Sequence, residues 1–382
     1  MANVLTDLAA DIYKAADRVG RELIGITPSC TINGNGSERA AKGDVVRSHF
    51  TRPATVDSAY APSMTIPEGT DQTVDNKTLS ITEYASVKIP WTGEDMRHVN
   101  NGTGFETIYG DQVLQAIRAI ANSVEAYMWG VTYKGASRAF GTAGTAPFAS
   151  NFNSIPQVRK ILVDNGCPID GQLSLVMDTT AGANLRSLAQ LQKANEAGGT
   201  ELLRQGTLLD LQGFMLKESA GIGTHTKGTG AGYLVNNGAG YAVGDTAIAV
   251  DTGTGTVLAG DVVTFAGDSN NYVSGAALSG ATVTLNDPGL LAAAANNAAL
   301  TVGNSYVGNV AFHRSAVELA IRPPAAPQGG DAAVDVMTVF DERSGLSFEV
   351  AAYKGYMKSM FDVRCVYGGK AWKPNHIAIL LG

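Results

Sequence analysis

Val113, Ile117, Ile120, Val124, Tyr127 and Val131 follow one another at alternating steps of four and three. Only an α-helix returns such positions to one face. Thr103 and Glu106 have the spacing of a capping box, and Gly135 can end the helix, so the pattern predicts a helix over 103–134. At 1.5 Å per residue it would run roughly 45 Å, when most helices stop after ~11–12 residues. A plain core helix is the simplest reading, with Val113, Ile117, Ile120, Val124 and Tyr127 as its core face. Its length asks for an elongated domain around it.

The segment before it reads as a long β-excursion over 45–92. Leu79, Ile81, Ala85, Val87, Ile89 and Trp91 sit at alternate positions, and Glu83 interrupts their face. That period of two predicts one strand of ~13 residues, about twice the usual length. Pro53, Pro62 and Pro67 belong at edges or at the tip. A two-stranded flap is not stable alone in water. With no spare core evident in the chain, Leu79, Ile81, Val87, Ile89 and Trp91 are expected to pack on a neighbouring subunit.

Elsewhere, Leu5, Leu8, Ile12, Ala16, Val19 and Leu23 predict an amphipathic helix over 3–25, and the polar stretch Pro28 to Gly43 an extended arm. Residues 154–220 alternate helix and strand: a helix opened by Ser154 and Gln157, a buried strand Leu173 to Met177, a helix from Thr180, and a strand Leu211 to Lys217. Between Gly228 and His313 there is no Lys or Arg, while Asp245, Asp251, Asp261, Asp268 and Asp287 are present. Short strands at Thr246–Val250, Asp261–Phe265 and Ala281–Leu285 mark this stretch as a small inserted β module. A helical segment is expected around Ala316–Ile321. Strands follow near Leu346–Tyr353, Phe361–Tyr367 and Ile377–Leu381. The fold class is α+β.

The residues offer little chemistry. Of 382 positions only 16% are charged, the net charge is −7, and no basic patch suits a nucleic-acid binder. Cys30, Cys167 and Cys365 form no CxxC pair, so neither a zinc ribbon nor a disulfide framework is expected. The first 12 residues lack the apolar run of a secretory signal, and a reducing cytoplasm is the expected site of synthesis. No stretch reaches the ~18 apolar residues of a membrane span. HExxH, GxSxG and a complete P-loop are absent, and His49, His98, His225, His313 and His376 share no helical metal spacing. A Ser–His–Asp triad assembled from distant residues stays open. No catalytic, cofactor or metal residue is expected.

The order arm, flap, over-long helix and α/β unit resembles the HK97-type capsid fold of tailed bacteriophages. The resemblance sharpens toward the P22-like coat proteins in Leu173–Ile222, in VAFHRSAVELAIRPP (Val310–Pro324) and in the run Ser344 to Leu381. It implies an N-terminal helix and arm (1–44), an extended β-loop (45–102), a spine helix in a peripheral domain (103–149) and an axial domain in two parts (150–227 and 305–382). An inserted β-rich domain (228–304) divides the two. It also implies a coat protein assembling with itself into pentamers and hexamers around double-stranded DNA, with scaffolding protein and portal as partners. Family members that crosslink use Lys and Asn. Lys77 and Asn76 in the flap are of those types, with no motif to support the choice. An encapsulin-like compartment, or a hydrolase with a β accessory module, is the alternative.

Overall fold

The computed structural model describes residues 23–34, 38–51, 56, 62–66, 74–100, 105–193, 208, 210–341 and 344–382. The helix expected over 3–25 lies outside them except for Leu23 to Gly25, which are not helical. Thr103, expected to form a capping box with Glu106, also falls outside what is described.

The spine helix runs Phe105–Lys134, 30 residues. Val113, Ile117, Ile120 and Val124 are buried, and Tyr127 is partly buried against the same core. Gly135 follows the last turn, and a Cβ there would meet the Cβ of Ala371 at 2.4 Å. The helix therefore stops where the chain must pass close to a strand.

That strand, Lys358–Ala371, organises the first sheet. It pairs antiparallel with Glu83–Thr92 over 358–367, with Leu346–Gly355 over 358–364 and with Val317–Arg322 over 366–371. Ala333–Asp341 and Thr31–Gly34 complete six strands. Phe361, Val363, Cys365 and Tyr367 alternate onto the face that meets the spine helix. There Tyr109 lies against Phe361 with ring centroids 4.1 Å apart, and Tyr127 meets Tyr367 edge-on at 5.3 Å.

The second sheet has twelve strands. Five form its axial part, in the order Met215–Glu218, Leu173–Met177, Tyr306–His313, Ile377–Leu381, Arg138–Phe140. Two of these, Leu173–Met177 and Ile377–Leu381, are buried at every position, as strands covered on both faces must be. Ile377, Ile379 and Leu381 join the spine-helix core. Ala378 and Leu380 face the core under the helices Ser154–Asp164 and Thr179–Ser187. Ser154 is the first helical residue and not a cap, whereas Asp178 caps the next helix by accepting from the Thr180 and Ala181 N–H groups. The sheet continues through Asn271–Val273, paired with Arg138–Phe140, into the β-rich stretch. There Tyr233, Val250, Phe265, Val283 and Leu300 help build a core of their own.

Two expectations are corrected. The apolar run 79–91 is two strands, Val74–Ser80 and Glu83–Thr92, because the chain changes ladders at Ile81 and Thr82. The first half pairs with Val45–Thr51 and the second with Lys358–Ala371. The segment Ala316–Ile321 is not helical: a short 3-10 turn, Arg314–Ala316, leads into the strand Val317–Arg322. Val317, Leu319 and Ile321 alternate there, a period of two that reads equally as a strand. After Pro28 the chain is extended at Thr31–Gly34, which runs parallel to Val317–Arg322 as a sheet edge.

The most consequential correction concerns the flap. Leu79, Ile81, Ile89 and Trp91 were expected at a subunit interface, but each is buried in its own chain. Leu79 packs with Ala320 and Trp372, Ile81 with Ala40 and Val366, while Ile89 and Trp91 join the spine-helix core. Val87 is partly buried against that core. The flap root crosses so close above Gly368 that a Cβ there would sit 2.3 Å from the Ser80 carbonyl oxygen. The core that seemed missing is the C-terminal strand, some 280 residues away in sequence and invisible to local pattern. Ile81→Asp is accordingly expected to destabilise the isolated subunit by ~3–5 kcal/mol, read as a lower urea midpoint. An unchanged midpoint would return Ile81 to an intersubunit role.

Candidate functional site

Two projecting apolar tips stand out once the core is accounted for. On the flap, Met64 and Ile66 are 106% and 90% exposed. At the other tip, Tyr356 and Met357 form a two-residue turn between Leu346–Gly355 and Lys358–Ala371, and are 95% and 71% exposed. Met357 holds φ 52°, a left-handed value that such turns ordinarily give to Asn or Gly. A bulky apolar pair in that turn spends backbone strain to present side chains to solvent. Beside the turn lies a cleft of about 420 Å³ lined by Met96, Val334, Ala352, Met357 and Phe361, with Lys354 and Lys358 among its walls. Val336 and Phe340 are exposed on the neighbouring strand. Apolar surface gathered in this way marks a docking region.

Three buried polar clusters tie the elements of the subunit together. The first is Glu125, on the spine helix and buried. Its Oε1 accepts from the N–H groups of Gly25 and Ile26, each at 2.7 Å, and from Ser219 Oγ at 2.6 Å. Its Oε2 accepts from Thr27 N–H at 2.8 Å and Thr27 Oγ1 at 2.5 Å. One carboxylate thus ties the arm and the turn after Met215–Glu218 to the middle of the spine helix. In sequence its only signal is its place beside Val124, one turn before Met128.

The second anchor sits where spine helix, axial sheet and β-rich stretch meet. Asp261 accepts from His225 Nε2 at 2.8 Å and from the N–H groups of Leu258 at 2.7 Å and Gly228 at 3.1 Å. His225 Nδ1 lies 3.2 Å from Tyr133 Oη at the end of the spine helix. Asp261 is thus buried, with both oxygens engaged inside the subunit.

The third anchor covers the polar face of the six-stranded sheet. Arg364 donates through Nε to Glu349 at 2.8 Å and through Nη1 to Tyr353 at 2.6 Å. Arg39 meets the other Glu349 oxygen at 2.6 Å, and Tyr353 donates to Asp331 at 2.6 Å. Arg39 thereby fixes the chain just before the flap to the strand that ends in the Tyr356–Met357 turn.

Burial pushes the Cys30 and Cys365 thiols up to about 12 and that of Cys167 to about 11, so none is a thiolate near neutral pH. No cluster of three potential metal ligands is found among the described residues. His313 joins Ser315 Oγ at 2.9 Å to Asp170 at 3.0 Å, a Ser–His–Asp order. Its Nδ1 also accepts the Ser315 N–H at 3.2 Å, so the ring caps the turn Arg314–Ala316. Lys77 Nζ donates to the Trp372 carbonyl at 3.1 Å within the subunit.

Burial, and then the nearby Lys373, depress the His376 imidazole to about 4. It is neutral in the folded chain, while an unfolded chain takes up its proton near pH 6.5. Its contribution is full above pH 6.5 and lost as pH falls from 6.5 to 4. Wild-type stability should drop over that window by on the order of 2 kcal/mol more than His376→Phe; parallel pH profiles would refute this.

No protein-family model and no curated protein sequence matches the chain. Solved structures do. A structure from Mycobacterium phage Che8 matches over 95% of this chain and 92% of its own, with TM-score 0.51 and 15% identity. The capsid structure of the cyanophage P-SCSP1u matches over 95% and 89%, with TM-score 0.52 and 11% identity. A virus-like particle from Pyrococcus furiosus covers 98% and 97% at TM-score 0.41 and 9% identity. The likeness to the first two is one of fold. The chain has the mixed α/β fold of phage capsid subunits, the HK97 type.

Proposed function

We propose that the chain is a major capsid protein, a coat subunit that assembles with itself into pentamers and hexamers of an icosahedral shell around double-stranded DNA. The observation that carries this reading is the fold match over 95% of the chain. The exposed tips give it a physical basis: flap and hairpin turn are rooted in the subunit and end in apolar side chains with no cover of their own. A contact between unlike surfaces on successive copies closes into rings. The net charge of −7 repels phosphate, which suits a wall that must not grip its contents.

On this reading the protein is structural and resides in the phage head after assembly in the host cytoplasm, with scaffolding protein and portal as partners. The division 1–44, 45–102, 103–149, 150–227, 228–304 and 305–382 gives arm, extended loop, spine, axial parts and insertion. The β-rich insertion supports a P22-like arrangement over an encapsulin-like one. The test is expression with and without the neighbouring genes, read by gel filtration and negative stain. Capsomers or closed particles are expected. A chain that elutes as a 39.6 kDa monomer under both conditions would refute the proposal.

A further inference from the structure

Arg138 lies on the strand that joins the axial sheet to the β-rich stretch, and it is only 5% exposed. Its Nη2 donates to Asn165 Oδ1 at 2.9 Å and, at 3.4 Å, to the Ile161 carbonyl, and its Nη1 donates to Asn270 Oδ1 at 3.3 Å. No carboxylate receives a hydrogen bond from it among the described residues, and its buried Nε has no partner. Buried guanidinium groups ordinarily meet a carboxylate. Burial works against the charge of Arg138, and the carboxylates that favour it, Asp164 and Asp268, act from a distance. Asp268 already serves Asn270 and Tyr272 with its two oxygens.

Arg138 lines a cleft of about 410 Å³ between the helix Ser154–Asp164 and the loop 269–271. Its polar walls are Gln157, Ser269 and Asn270, with Lys160 and Asp164, and Phe140 and Ile161 supply apolar wall between them. Lys160 and Asp164 are both exposed and 3.7 Å apart, a pairing worth little in water. Two cations and several neutral donors therefore face a single carboxylate around a space much larger than one water.

We propose that this cleft is an oxyanion site, in which Arg138 and Lys160 hold one phosphate or carboxylate group at the seam between the axial domain and the β-rich insertion. An anion there supplies the charge partner that the buried guanidinium lacks and ties Arg138 to Lys160 across the seam. Two sources offer the same chemistry: a free phosphate ion, or an Asp or Glu side chain of a neighbouring copy. The site itself does not depend on the shell reading.

The experiment is titration of the full chain with inorganic phosphate, and separately with acetate, at constant ionic strength, followed by calorimetry and thermal melting. Saturable binding of at least one is expected. Lys160→Gln should weaken it about threefold and Asp164→Asn should tighten it by a similar factor, both sites being exposed. Arg138→Gln should abolish it. The two exposed variants keep the test valid where Arg138→Gln fails to fold. Absence of binding by both probes, or affinities that ignore Lys160 and Asp164, overturns the proposal. In assembled material, retained binding assigns the site to a free ion, and binding lost on assembly assigns it to a neighbour's carboxylate.

Discussion

Glu125→Ala is expected to lower the unfolding free energy by roughly 4–6 kcal/mol, a large part of what a domain possesses. The carboxylate serves the N–H groups of Gly25, Ile26 and Thr27 and the hydroxyls of Thr27 and Ser219, all in a buried setting. Removing it leaves those donors without an acceptor, and each buried unmet donor costs ~1–3 kcal/mol. Partial escape of the arm to water keeps the total below the full sum. Glu125→Gln retains one good acceptor but turns an N–H₂ toward other donors, so about 2–3 kcal/mol is expected. Urea unfolding measures both. Limited proteolysis gives an independent reading, because arm release should expose residues 23–34 before the rest of the chain unfolds. An alanine variant that melts with the wild type would show that the arm needs no anchor.

The second large effect is on assembly. Met64→Asp with Ile66→Asp should leave the unfolding free energy of the subunit within ~0.5 kcal/mol of wild type, since both side chains already face water. Particle formation should fall below detection, because burying two carboxylates in an apolar contact costs several kcal/mol at every copy. The contrast with Ile81→Asp is the point: the same chemical change at the root of the flap should lower the urea midpoint of the subunit itself. Normal particles from the tip variant would place the flap end outside every contact.

These two sites show what the sequence could and could not reveal. The spine helix was legible because its core face repeats over several turns, and periodicity needs no knowledge of the partner. The strands Leu173–Met177 and Ile377–Leu381 were legible as short runs that are apolar at every position but Ser174. The flap strand was legible as a strand but not in its pairing, since its partner Lys358–Ala371 lies at the other end of the chain. Lacking that partner, the instability of a lone two-stranded flap placed Leu79, Ile81, Val87, Ile89 and Trp91 on a neighbour. Glu125 and Asp261 were missed for a related reason. A buried carboxylate is recognised by its donors, and these come from turns that no residue pattern brings near it. The segment Val317–Arg322 failed through brevity, since six residues cannot separate a period of two from one of 3.6.

The ten-residue ladder between Glu83–Thr92 and Lys358–Ala371 has a mechanical consequence. Hydrogen bonds in an antiparallel ladder run perpendicular to the strands. A force along the strand therefore strains all of them together, whereas a force across it opens them one at a time. Tension carried down the flap enters Glu83–Thr92 along its own axis, and Lys358–Ala371 passes it to Leu346–Gly355 and Val317–Arg322 in the same shearing mode. In the shell proposed above, the flap would act as a tie rod whose anchorage yields as a unit, at high force, and does not peel.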